Sequence, residues 1–200
     1  MNATPVHTDV RQHILEIARP ILSGKGFSAV GLNEILAAAG VPKGSFYHYF
    51  PSKEAFGEAL LEQYFTSSLA QIDTLLTQPG GTAADRLMRY WQNWLNSQAS
   101  SETQAQCLAV KLGAEVCDLS EPMRTILQDG TMQIVRRLAR CMEEARADGS
   151  LPDLGDSQHM AMTLYQLWLG ASLLAKFTRD PRPFEEAMIT TRKLLNLPAS

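Results

Sequence analysis

The segment GLNEILAAAGVPKGSFYHYFPSKEAF, residues 31–56, constrains this chain more than any other. Leu32, Ile35 and Leu36 recur at helical spacing, so one side of a short helix is apolar. Gly40 ends that helix, because glycine enters the left-handed backbone region without strain. Pro42 suits the start of a second helix, where its missing N–H is not needed. That helix is expected from Pro42 to about Tyr49. It offers Lys43, Gly44, Ser45, Tyr47 and His48, all able to bond or closely approach a polyanion, and leaves Val41 and Phe46 to face inward. Two short helices, a tight glycine turn and a polar second helix describe a helix-turn-helix that reads DNA.

The run GVPKGSFYHYFPSKEAF is similar to the signature of the TetR family of bacterial transcriptional regulators, in a gapless match over about residues 8–56 with Tyr47, Phe50 and Lys53 in register. The resemblance implies an all-α, TetR-like chain. Residues 1–55 would form a three-helix DNA-binding head, and residues 56–200 a helical regulatory and dimerisation bundle. It implies a homodimer on palindromic double-stranded operator DNA. Lys43, Tyr47 and Lys53 would meet phosphates, and Gly44 would let the backbone come close. Ser45 and His48 would face base edges. Two positions depart from the family pattern. Gly31 stands at a helix cap where threonine is common, with Glu34 still at the capping-box position. Pro20 interrupts the first helix and is expected to kink it or distort its last turn.

That first helix is expected to start near Thr8, with Asp9 in its positive first turn. Val10, Ile14, Ile17, Ala18, Ile21 and Leu22 form its predicted apolar stripe. Gly24 and Gly26 close it, and Phe27 turns back into a small core that also takes Tyr49 and Phe50.

Charge and composition narrow the function. The net charge of −3 argues against a generic nucleic-acid coat protein. Residues 1–55 hold five Lys or Arg against four acids, so a DNA-binding head must place few cations well and double them through a dimer. The longest apolar runs are too short to span a bilayer, and the first eight residues lack a leader pattern. Three widely spaced cysteines make no disulfide framework, so a cytoplasmic setting is expected. No metal-ligand spacing is present, and no cofactor is expected. His7, His13, His48 and His159 form no recognisable nucleophile or metal arrangement, so no enzyme is expected.

After Pro51 and Ser52, a long helix is expected from Lys53 to about Leu76, long enough to carry movement from the head into the rest of the chain. Thr82 caps the next helix, whose stripe is Leu87, Tyr90, Trp91, Trp94 and Leu95. A further helix, capped near Ser101, would carry Cys107 and Lys111 on one face. The ammonium and the positive helix end both favour a thiolate at Cys107. Cys117 beside Asp118 has the opposite setting, and Cys141 lies in an ordinary amphipathic helix. On the residues alone, a buried small hydrophobe is the commonest fate of such a cysteine.

The runs CLAVKLGAEVCDLSEPMR and LYQLWLGASLLAKF resemble the electrophile- and redox-sensing branch of the TetR family that contains the N-ethylmaleimide-reductase repressor. This implies a repressor released from its operator by an electrophile or oxidant acting at Cys107. Lys176 lies within the shared pattern, and Gln106 replaces the glycine usual before the cysteine. The alternative is a repressor with a reversible pocket for an acrylate-like acid or lipophilic drug, lined by Trp91, Trp94, Tyr165 and Trp168. Helices are further expected from Ser120 to about Ala147, Ser157 to about Phe177, and Pro183 to about Leu195. The last two carry more apolar surface than one small bundle covers and are expected to meet their copies in a four-helix dimer interface.

Overall fold

The computed structural model of the protein describes residues 10–99 and 108–198. Among these residues there are nine α-helices and no strand. They are α1 (Val10–Lys25), α2 (Leu32–Ala39), α3 (Lys43–Tyr49), α4 (Lys53–Thr77), α5 (Ala83–Ala99), α6 (Leu108–Leu119), α7 (Glu121–Ala147), α8 (Ser157–Thr178) and α9 (Arg182–Leu194). The chain forms two compact units, one of residues 1–64 and 102–127, the other of residues 65–101 and 128–200. Helices α4 and α7 each contribute residues to both.

In the first unit, α1 buries Ile14, Leu15, Ala18, Leu22 and Ser23. Ile14, Ala18 and Leu22 of the expected stripe are buried, but Ile17 and Ile21 are only half-buried and Val10 is exposed, with Leu15 and Ser23 buried instead. Pro20 does not end the helix, which continues to Lys25. The bond it forfeits is to the carbonyl of Glu16, an exposed residue, while the buried row grips α1 on both sides of the proline. Gly26 closes α1 at φ 92°, its N–H donating to the Leu22 carbonyl at 2.8 Å. Gly40 ends α2 at φ 65°, as the sequence predicts. Gly31 caps α2 without a side-chain bond, and Glu34 pairs with Lys25 at 2.6 Å.

Phe46, Phe50 and Phe56 form one aromatic block, with ring centroids 5.1–5.5 Å apart and all three rings buried. Gly57 lets α4 approach this unit closely. A Cβ there would lie 2.7 Å from both the Phe27 ring and the Met123 sulfur.

In the second unit, Thr82 and Asp85 cap α5 reciprocally: Asp85 N donates to Thr82 Oγ1 at 3.2 Å, and Thr82 N to Asp85 Oδ2 at 2.8 Å. The same helix start is held from the far end of α7, where Ala83 N donates to Asp148 Oδ2 and Ala84 N to Ser150 Oγ. Asp156 caps α8, accepting from Gln158 N and His159 N. Gly130 of α7 presses on the Phe65 ring, leaving no room for a side chain. The core here is Leu87, Trp91, Val135, Leu138, Leu164 and Trp168. Helix α9 buries Phe184, Ala187 and Thr191, and Leu195 beyond its end is fully buried. Leu194, next to it, is 36% exposed.

Candidate nucleic-acid interface and sensor region

The reading helix α3 is seven residues long, and Pro42 at its cap accepts a bond from Ser45 N at 3.0 Å. Phe46 anchors it from below. Lys43, Gly44, Tyr47 and His48 are exposed and Ser45 is half-buried, so the side chains expected to meet DNA share a face open to solvent. The Lys43 ammonium lies 5.9 Å from the Tyr47 ring centroid, a cation over an aromatic face. Gly44 has no atom within 4 Å of the Cβ it lacks, so backbone is open to an incoming strand. One cation was not anticipated here: the Arg11 guanidinium lies over the Phe50 ring at 5.5 Å, near the end of α3.

Lys53 is already engaged. Its Nζ donates to the Phe27 carbonyl at 2.8 Å and lies 4.8 Å from the Phe27 ring centroid. An ammonium has three donors, so two remain after this bond. The same peptide segment is held from α6. Glu115 Oε2 accepts from Phe27 N at 2.9 Å, and Oε1 from Ser28 N at 2.6 Å. Burial opposes ionisation of this carboxyl, but bonds from Ser28 and Phe27, with the nearby Lys53 charge, outweigh it and hold its pKa below the usual glutamate value. Glu115 has no local sequence signal: its partners lie 87 and 88 residues earlier.

Cys107 lies outside the described residues, as does the expected cap near Ser101. Lys111 is half-buried on α6, and Lys176 is exposed on α8 in the other unit. Cys117 is half-buried and free. Cys141 is buried, and its thiol donates to the Ala83 carbonyl at 3.4 Å. Burial pushes its pKa up to about 11, so this sulfur is a neutral thiol at physiological pH.

Trp91, Trp94, Tyr165 and Trp168 do come together. Trp91 stacks on Trp168 with centroids 5.2 Å apart and planes 18° apart, and Trp94 meets Tyr165 edge-on at 5.5 Å. All four are at most 9% exposed. Trp94 and Trp168 direct their indole N–H groups to Ser172 and Thr191. The Trp91 N–H is buried without a hydrogen-bond partner among the described residues.

On α8 and α9 an apolar face is left open. Leu173, Leu174, Phe177 and Ile189 are 40–72% exposed. A groove of about 630 Å³ beside them is lined by Leu167, Gly170, Ala171, Leu174, Pro183 and Ala187, among others. No helix among the described residues is long and apolar enough to cross a membrane.

Comparison with known proteins identifies the class that this geometry suggests. The family model described as bacterial regulatory proteins, tetR family, matches residues 14–60. A second, the tetracyclin repressor-like C-terminal domain, matches residues 83–191. The chain belongs to the TetR family, whose DNA-binding transcriptional regulators carry this helix-turn-helix and C-terminal helical domain.

Within that family the chain is 41% identical over 199 residues to the HTH-type transcriptional repressor NemR of Escherichia coli strain K12, with all of both chains covered. The crystal structure of the reduced form of E. coli NemR superposes with a TM-score of 0.89, covering 96% of this chain and 100% of that one. The HTH-type transcriptional repressor DhaR of Mycobacterium sp. strain GP1 is 32% identical over 184 residues, 90% of this chain and 88% of its own.

Proposed function

We propose that the protein is a homodimeric transcriptional repressor that leaves its operator when an electrophile or oxidant modifies Cys107. The observation that carries the DNA-reading half is the solvent-facing group of Lys43, Gly44, Ser45, Tyr47 and His48 on a helix clamped by buried Phe46. Lys43, Tyr47 and Lys53 contact phosphates and set the register. Ser45 and His48 meet base edges. The uncovered apolar face of α8 and α9 supports the dimer. Two reading helices would then enter successive major grooves of a palindrome, about 34–36 Å apart.

The similarity to NemR over the whole chain supports the sensor half. The division of labour is a DNA head of residues 1–55 and a regulatory part of residues 56–200. In the sensing step the Cys107 thiolate adds to the electron-poor alkene of a reagent such as N-ethylmaleimide. A carbon–sulfur bond forms, and the resulting carbanion takes a proton from water. The modified protein favours a spacing of the two heads that fits DNA poorly, and by linkage DNA disfavours that state equally. Lys111 favours the thiolate, and Lys176 is the second cation assigned to the response.

The test is a gel-shift titration on fragments upstream of the protein's own gene and its neighbours. Wild type binds one fragment and is released by N-ethylmaleimide. Cys107→Ser binds equally and stays bound. Equal release of the two proteins overturns the sensor assignment.

A second reading rests on the unpartnered Trp91 N–H. A buried donor without an acceptor is a cost that a polar ligand atom would remove. Here the cluster of Trp91, Trp94, Tyr165 and Trp168 binds an acrylate-like acid or a lipophilic drug reversibly. Intact mass after exposure and desalting separates the two readings: a retained adduct supports covalent sensing, an unchanged mass reversible binding.

A further inference from the structure

Glu115 is placed unusually for a half-buried glutamate. It stands in the middle of α6, yet both carboxylate oxygens are spent on backbone N–H groups of the turn between α1 and α2, at 2.9 Å from Phe27 and 2.6 Å from Ser28. The turn is shaped to receive it. Gly26 sits at φ 92°, and a Cβ on that residue would lie 3.0 Å from Glu115 Oε2. The other side of the same residue is taken as well: the Phe27 carbonyl accepts from Lys53 Nζ at 2.8 Å. The Phe27 ring meanwhile fills the space left by Gly57 of α4.

One residue, Phe27, therefore links a carboxylate on α6 to an ammonium at the start of α4. Leu108, the first described residue of α6, follows Cys107 in the sequence. Lys53 is one of the phosphate contacts proposed above. Charge-assisted bonds of this kind are shorter and stronger than neutral ones, so they fix the turn to α6 in a defined geometry.

We propose that Glu115 is a positioning residue for operator binding: through its two bonds to the Phe27–Ser28 turn, α6 sets the placement of Lys53 and of the helix-turn-helix. The regulatory part of this inference rests on the reading of the chain as an electrophile-released repressor. The positioning part needs only operator binding.

The isosteric substitution Glu115→Gln isolates the effect. It keeps the side-chain volume, removes the charge and replaces one of the two acceptors by a donor that faces a backbone N–H. Operator affinity is measured by fluorescence anisotropy for wild type, E115Q and E115D, before and after N-ethylmaleimide. The assay temperature is one at which circular dichroism and sedimentation show every variant folded and equally dimeric. E115Q is expected to bind about tenfold more weakly. The loss of affinity that N-ethylmaleimide causes in wild type is expected to shrink to within about twofold in E115Q, with Cys107 alkylated to the same extent by intact mass. E115D, which keeps the charge on a shorter stem, is expected to fall between.

E115Q binding within twofold of wild type overturns the proposal, whatever its response to the reagent. If wild type binds the operator but ignores N-ethylmaleimide, the sensor reading fails, and the affinity of E115Q still decides the role of Glu115.

Discussion

Trp168 of α8 donates its indole N–H to the Thr191 hydroxyl of α9 at 2.9 Å, and Thr191 donates its own O–H to the Ala187 carbonyl at 2.7 Å. Both side chains are fully buried, so this polar link ties the last two helices together inside an apolar core. Thr191→Val keeps the shape and strands the indole donor. The expected cost is about 1–3 kcal/mol, read as a lower urea midpoint with an unchanged slope.

Two glycines separate packing from function. Gly57→Ala drives a methyl into Phe27 and Met123 and should destabilise the fold by about 1–3 kcal/mol. Gly44→Ala meets nothing within 4 Å and lies in a helix, so stability should hold or rise by up to about 1 kcal/mol. Its operator affinity should nevertheless fall, because the added methyl stands where backbone is proposed to approach phosphate. Thermal melts and anisotropy titrations on the same samples show whether the two effects part in this way.

The described cysteines should differ in reactivity. Maleimide labelling of the native protein at neutral pH, read by peptide mass spectrometry, should modify Cys117 and leave Cys141 untouched until the chain is unfolded. Cys141 also carries a pH signature. Its thiol ionises near 9.0 when unfolded and is pushed up to about 11 when folded. The neutral form is the one the fold tolerates, so its contribution is complete below pH 9 and lost as pH rises towards 11. The stability difference between wild type and Cys141→Ala should shrink across that window.

The uncovered face of α8 and α9 makes its own forecast. Leu174→Arg or Phe177→Glu places a charge on side chains that are 53% and 72% exposed in the single chain. The fold should survive, since neither residue is in the core. Sedimentation should report a shift from the proposed dimer towards a species of 22.1 kDa.

Phosphate contacts are recognised by salt. Lys43→Ala should weaken binding to every fragment by a similar factor and make the plot of log affinity against log salt shallower, by about one per protomer. A change confined to one base position would move Lys43 from the backbone-contact group to the base-reading one.

The sequence makes the helix-turn-helix legible because its punctuation is local. Gly40 and Pro42 act through their own backbone, and Phe46 is buried where helical spacing puts it. Phase is harder to read when apolar residues surround a helix. In α1, Ile14, Leu15, Ile17, Ala18, Ile21 and Leu22 permit more than one stripe, and the packing chose the one through Leu15 and Ser23. Glu34 shows how a local rule yields: it stands where a capping box would use it, but Lys25 takes its carboxylate. Glu115 was invisible for the opposite reason. Its chemistry is a bond to backbone far away in sequence, which no spacing rule contains.

The turn after α7 looks, from its composition, like a place where the chain could absorb extra residues. Half of it is not available for that. Asp148 and Ser150 occupy the first N–H groups of α5, while Leu151 returns to the core at 4% exposure. A lengthened loop, a protease site or a grafted tag is therefore accommodated only beyond Leu151, among the exposed residues Pro152, Asp153 and Gly155. Cutting two or three positions earlier would uncap a helix whose start lies 65 residues away along the chain.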